Sequence, residues 1–64
     1  MNRIDNAIKV EDISNEKDRC QNIHVMKYQW ADGEIAYNVQ SPGTDDWTDS
    51  IELVDCIVQD IEMH

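Results

Sequence analysis

Carboxylates dominate the chemistry open to this chain. Asp32, Glu34, Asp45, Asp46, Asp49, Glu52, Asp55, Asp60 and Glu62 all follow residue 27, and no Lys or Arg accompanies them. Residues 1–27 balance five bases (Arg3, Lys9, Lys17, Arg19, Lys27) against five acids (Asp5, Glu11, Asp12, Glu16, Asp18), so the rest of the chain carries the whole formal charge of -9. Carboxylates in such numbers can hold a cation, serve acid–base catalysis, or present negative potential to a cationic partner. A calcium site needs oxygen ligands wrapped around the ion by a loop with a sharp glycine turn. Asp45, Asp46 and Asp49 come closest, but the EF-hand pattern is absent, so neither metal nor cofactor is assigned. Catalysis finds no support either. The sequence has no nucleophile elbow, no glycine-rich phosphate loop, no CxxC and no HExxH. Cys20 or Cys56 beside His24 would sit in a negative field, which does not lower a thiol pKa. The expectation is a binder rather than an enzyme.

Net charge bears on partners and association kinetics. Nucleic acid and anionic membranes would repel this chain; a basic protein surface is its complement. Ordinary solvated faces intersperse both signs, whereas this one excludes bases. The nine acids from Asp32 to Glu62 are therefore the candidate partner-binding residues.

Three elements must position them. From about residue 46 to 62 the apolar pattern is helical. Trp47, Ile51, Val54, Ile57, Val58 and Ile61 fall on one side at 100° per residue, with Leu53 and Cys56 at the flanks. Thr44, Asp45 and Asp46 are candidate N-caps. Asp46, Asp49, Glu52 and Asp55 recur every three residues, which predicts a stripe winding around the polar side. Asp45 begins that stripe, and Asp60 and Glu62 extend it against the helix dipole.

Residues 23–30 and 34–40 are strand-like and flank Ala31-Asp32-Gly33. Asp-Gly suits a two-residue type I′ turn, which sets Trp30 opposite Ile35, Tyr28 opposite Tyr37 and Met26 opposite Val39. These six would share one face against the helix, with Gln29, Lys27, Ala36, Asn38 and Gln40 on the other. Asp32 and Glu34 lie in the turn. Ser41-Pro42-Gly43-Thr44 reads as a turn leading into the helix. In the first 22 residues, Ile8 and Val10 alternate as a third strand and Ser14 to Cys20 form a short helix capped by Ser14 or Asn15. The alternative is an N-terminal helix with Ile4, Ala7 and Ile8 on one side. Either way the class is α+β: a small antiparallel sheet packed against a C-terminal helix.

The 64 residues make one domain, with a thin core. The opening MNRIDNAIKVEDIS is too polar for a signal peptide, and no apolar run reaches membrane length. A monomer in the cytoplasm with free thiols at Cys20 and Cys56 is expected. His24 reads as a packed histidine, and Trp30 and Trp47 as core. A tryptophan left exposed would instead be an interface anchor.

With this size and this acidic half, the chain resembles small acidic phage-encoded inhibitors that mimic DNA, and among them a type I anti-CRISPR protein. The resemblance rests on length and charge, and implies a mechanism class without assigning any residue a role. That class is a protein that covers the DNA- or PAM-binding surface of an effector complex subunit in the host cytoplasm, because such surfaces present Lys and Arg.

Overall fold

The computed structural model describes residues 6–63. Its elements run β1 (Lys9–Asp12), α1 (Glu16–Cys20), β2 (His24–Gln29), β3 (Ile35–Ser41), β4 (Thr44–Thr48) and α2 (Ile51–Glu62). The strands form one antiparallel sheet in the order β1-β2-β3-β4. The α+β class, the third N-terminal strand and the C-terminal helix on the sheet all match the sequence expectation. The alternative N-terminal helix is excluded where Ala7 and Ile8 are concerned, since neither is helical; Ile4 lies outside the described residues.

Helix α1 is closed at both ends, by side chains at the first and by backbone bonds at the second. Asn15 Oδ1 accepts from the Asp18 amide at 2.8 Å, and Asp18 Oδ2 accepts from the Asn15 amide at 3.3 Å, a reciprocal capping box. At the other end Asn22 adopts φ 60°. The Ile23 amide then reaches the Asp18 carbonyl at 2.8 Å and the Asn22 amide the Arg19 carbonyl at 3.0 Å, a Schellman closure. Its apolar residue, Ile23, is fully buried.

The β2–β3 register departs from the expected one by a residue. Gly33 N–H donates to the Trp30 carbonyl and Trp30 N–H to the Glu34 carbonyl, both at 3.0 Å. Gly33 has φ 90°, while Asp32 is not in the left-handed region. The connection is therefore a three-residue loop ending in a glycine bulge, not a type I′ turn. Asp32 Oδ1 accepts from the Glu34 amide at 3.0 Å and holds the loop. Val25 now opposes Val39, Lys27 opposes Tyr37, and Tyr28 opposes Ala36. Opposed residues share a face, so Met26 and Tyr28 go to one side of the sheet, and Ile35, Tyr37 and Val39 to the other.

Helix α2 covers the second side. Ile23, Val25, Val39 and Val54 are buried together, with Tyr37, Ile57, Val58 and Ile61 packed against them. The sheet is staggered: β1 pairs with β2 from residue 26 to 29, and β4 pairs with β3 from residue 37 to 41. This stagger draws the molecule out to 35 × 20 × 18 Å.

Residues 44–48 form a strand and not the first turn of a helix. Ser41 pairs with Thr44 across Pro42-Gly43, with Gly43 at φ 83°. Proline first and a positive-φ glycine second suit a type II turn. Asn38 fixes the strand by donating to Asp45 Oδ1 at 2.6 Å and to the Asp46 carbonyl at 3.2 Å. Helix α2 begins at Ile51 with Ser50 as N-cap, so Thr44, Asp45 and Asp46 are not caps.

Both turn glycines have open space where a Cβ would stand. Gly33→Ala and Gly43→Ala should therefore each cost about 1–2 kcal/mol through backbone conformation alone. Urea denaturation of the two variants measures this.

A candidate acidic docking surface

Neither the stripe nor a single helical carboxylate face exists, because the nine acids are divided among four elements. Asp45 and Asp46 point to opposite sides of β4, an edge strand. Asp49 lies in the short link to α2, and Glu52 in the first turn of α2. Asp46 and Asp60 line one recess between β4 and α2, together with Ile57 and Ile61. A neighbouring recess holds Trp47, Leu53, Cys56 and again Asp60. Asp46 and Asp60 thus share the α2 side of the β4 edge, while Asp45 points to the other side of that strand and Asp49 follows it in the chain.

The remaining acids lie elsewhere. Asp55 and Glu62 flank α2 on the side of α1, in a recess with Lys17. Glu62 accepts from Gln21 at 3.3 Å and meets Lys17 Nζ at 3.5 Å, so its charge is locally offset. Asp32 and Glu34 occupy the tip of the β2–β3 hairpin, beyond the last β3–β4 pair, Tyr37 with Thr48. Among the described residues no ion pair reaches Asp45, Asp46, Asp49, Glu52 or Asp55.

Two carboxyls outside this surface are held below the ordinary carboxylate range. The side-chain hydrogen bond from Lys9, 2.9 Å away, and its charge lower Glu11. Hydrogen bonding from the side chain and backbone of Ser14 lowers Asp12, helped by the charges of Arg19 and His24. A depressed folded pKa gives stability that is present above the unfolded value and lost as pH falls through the folded one. Asp12 should therefore titrate below an ordinary aspartate in a carboxyl-detected NMR titration, and Ser14→Ala should raise its midpoint.

His24 is exposed on β2, not packed, because no helix among the described residues covers its face of the sheet. The same open face explains Trp47. It is 42% exposed rather than core, while Trp30 is buried. Tyr28 stacks on Trp30 at 6.0 Å and meets Trp47 at 5.0 Å with a tilt of 46°. Asn38, opposite Trp47, is fully buried, and its Oδ1 has no hydrogen-bond partner. Neither Trp47 nor Asn38 could be assigned this position from a helical reading of residues 46–62. Cys20 and Cys56 are free and exposed.

Among the described residues no group of three or more His, Cys, Asp or Glu side chains is placed to hold a metal ion. No helix there is long and apolar enough to cross a membrane. Comparison with protein-family models, with curated proteins and with solved structures gives no match.

Proposed function

We propose that this protein is a stoichiometric inhibitor of the anti-CRISPR type, acting in the cytoplasm of the host cell. It binds the basic, nucleic-acid-binding surface of a CRISPR effector subunit and occupies it in place of DNA. The observation that supports this reading is that Asp45, Asp46 and Asp49, on and just after the edge strand β4, make no ion pair among the described residues, and that Asp46 shares a recess with Asp60 whose lining holds no Lys or Arg. A DNA duplex presents one charge per about 1.7 Å of axis, and carboxylates held on an edge strand and a helix offer a comparable array to Lys and Arg. Complementary potential of this kind speeds encounter and fixes orientation.

The test is a displacement assay with purified type I effector complexes. Target DNA binding should fall in proportion to added protein, and the inhibition should weaken as salt rises. DNA binding that is unaffected at low salt by an excess of the protein would overturn the reading for those complexes.

A second reading, an interaction module that binds through apolar contacts, draws support from Ile35, Trp47, Ile51 and Leu53, which are 39–51% exposed. It requires association that tolerates high salt, so the same salt series separates the two.

A further inference from the structure

The open face of the sheet offers more than negative charge. Asp45, Trp47, Asn38 and Tyr28 all rise from it, since Asn38 opposes Trp47 and Tyr28 meets Trp47 at 5.0 Å. Asn38 Nδ2 holds the Asp45 carboxylate at 2.6 Å, which fixes one carboxylate oxygen in place two residues from Trp47. The other end of the same amide, Oδ1, is a buried acceptor without a donor. A buried acceptor of this kind is unfavourable unless a donor reaches it, and the residue opposite Asn38 on β4, Trp47, is 42% exposed.

We propose that this constellation seats an arginine of the basic partner. The guanidinium stacks on Trp47 and donates to Asp45, and a shift of the side chains over Asn38 gives its buried Oδ1 a guanidinium N–H to accept. This deepens the inhibitor reading and rests on it. The chemistry favours arginine over lysine, because the planar guanidinium stacks on aromatic rings and donates to a carboxylate through two N–H groups at once. Among the described residues the charge on the face agrees. Lys9 and Lys27 belong to the other side of the sheet by their pairing, and Arg19 reaches only the corner at Asp12, at 3.7 Å. A second copy of the chain is a poor occupant, because it would bring another formal charge of -9 against this one.

The test uses nona-arginine and nona-lysine peptides, equal in length and charge, titrated calorimetrically at low and moderate salt. Both should bind with similar salt dependence, and the arginine peptide should bind about fivefold tighter. Trp47→Leu should abolish that preference and leave the salt dependence unchanged. Asp45→Asn, which keeps its shape and its bond to Asn38, should also reduce the preference, and it covers the case in which Trp47→Leu fails to fold. Equal binding of the two peptides, or a preference that survives both substitutions, overturns the arginine site and leaves the inhibitor reading standing. Failure of both peptides to bind at low salt overturns the inhibitor reading itself. A Trp47-dependent dimer in sedimentation equilibrium would assign the face to a second copy and overturn the proposal.

Discussion

Replacing Asp45, Asp46, Asp49 and Asp60 together by asparagine should weaken binding to a basic partner by roughly fourfold to several hundredfold at low salt. The estimate follows from the measured worth of exposed charge pairs, about 0.2–1 kcal/mol each, taken over four of them, with 1.4 kcal/mol per tenfold. The fold should survive. No ion pair among the described residues is lost at Asp45, Asp46 or Asp49, and an asparagine at 45 can still accept from Asn38. Relief of repulsion between neighbouring carboxylates should leave the melting temperature unchanged or higher. Formal charge falls in magnitude, from -9 to -5.

A second quadruple variant separates shape from total charge. Neutralising Asp32, Glu34, Asp55 and Glu62 also gives -5, but removes acids from the hairpin tip and the α1 flank. If the β4 side is the docking surface, this variant retains most of its affinity. Equal losses in the two variants would mean that net charge, and not a shaped surface, drives association. Full affinity in both would sink the electrostatic reading altogether.

Ile23→Ala should largely unfold the protein at physiological temperature. Ile23 has no exposed surface, and the buried apolar core around it is small. Removing a buried isoleucine to alanine costs about 2–5 kcal/mol. A domain of this size has a total stability of roughly 3–10 kcal/mol, so one substitution consumes much of it. Two structures depend on this side chain at once. It fills the space under α2, and it is the apolar residue of the closure that ends α1. A urea midpoint lowered by about 2–5 M, or loss of the folded baseline altogether, is expected for an m-value near 1 kcal/mol/M. A midpoint shift below about 0.5 M would show that the core closes elsewhere. Ile51→Ala is the control, since Ile51 is half exposed and its loss should cost far less.

Local signals in the sequence were reliable where one physical reading dominated. The short helix before Cys20 was legible from its cap candidates, Ser14 or Asn15, and the structure selects Asn15, whose capping box with Asp18 closes the first turn. The run Val54, Ile57, Val58 and Ile61 has a helical period and no competing alternation, and it packs as that period requires. Pro42-Gly43 punctuates the chain, and the charge asymmetry follows from counting. The unlikeness of the two halves in charge, the strands on either side of Asp32-Gly33 and the α+β class were all legible for these reasons.

Two decisions belonged to the tertiary structure. Asp32-Gly33 suits a two-residue turn and a three-residue loop with a glycine bulge, and these differ by one residue of register. The β2 sequence does not choose, because it is apolar in both phases: Ile23 and Val25 in one, Met26, Tyr28 and Trp30 in the other. Helix α2 chooses, by packing Val54 against the Val25–Val39 pair and leaving the aromatics on the open face. Likewise Thr44-Asp45-Asp46 is as good an N-cap as it is an edge strand. A cap contributes about 1 kcal/mol, whereas β4 gains a ladder with β3, the Asn38 bonds to Asp45 and Asp46, and Trp47 on Tyr28. The number and sign of the carboxylates were determined by the sequence alone. Their arrangement was not, because it hangs on contacts between residues far apart in the chain, and those outweigh a local preference of about 1 kcal/mol.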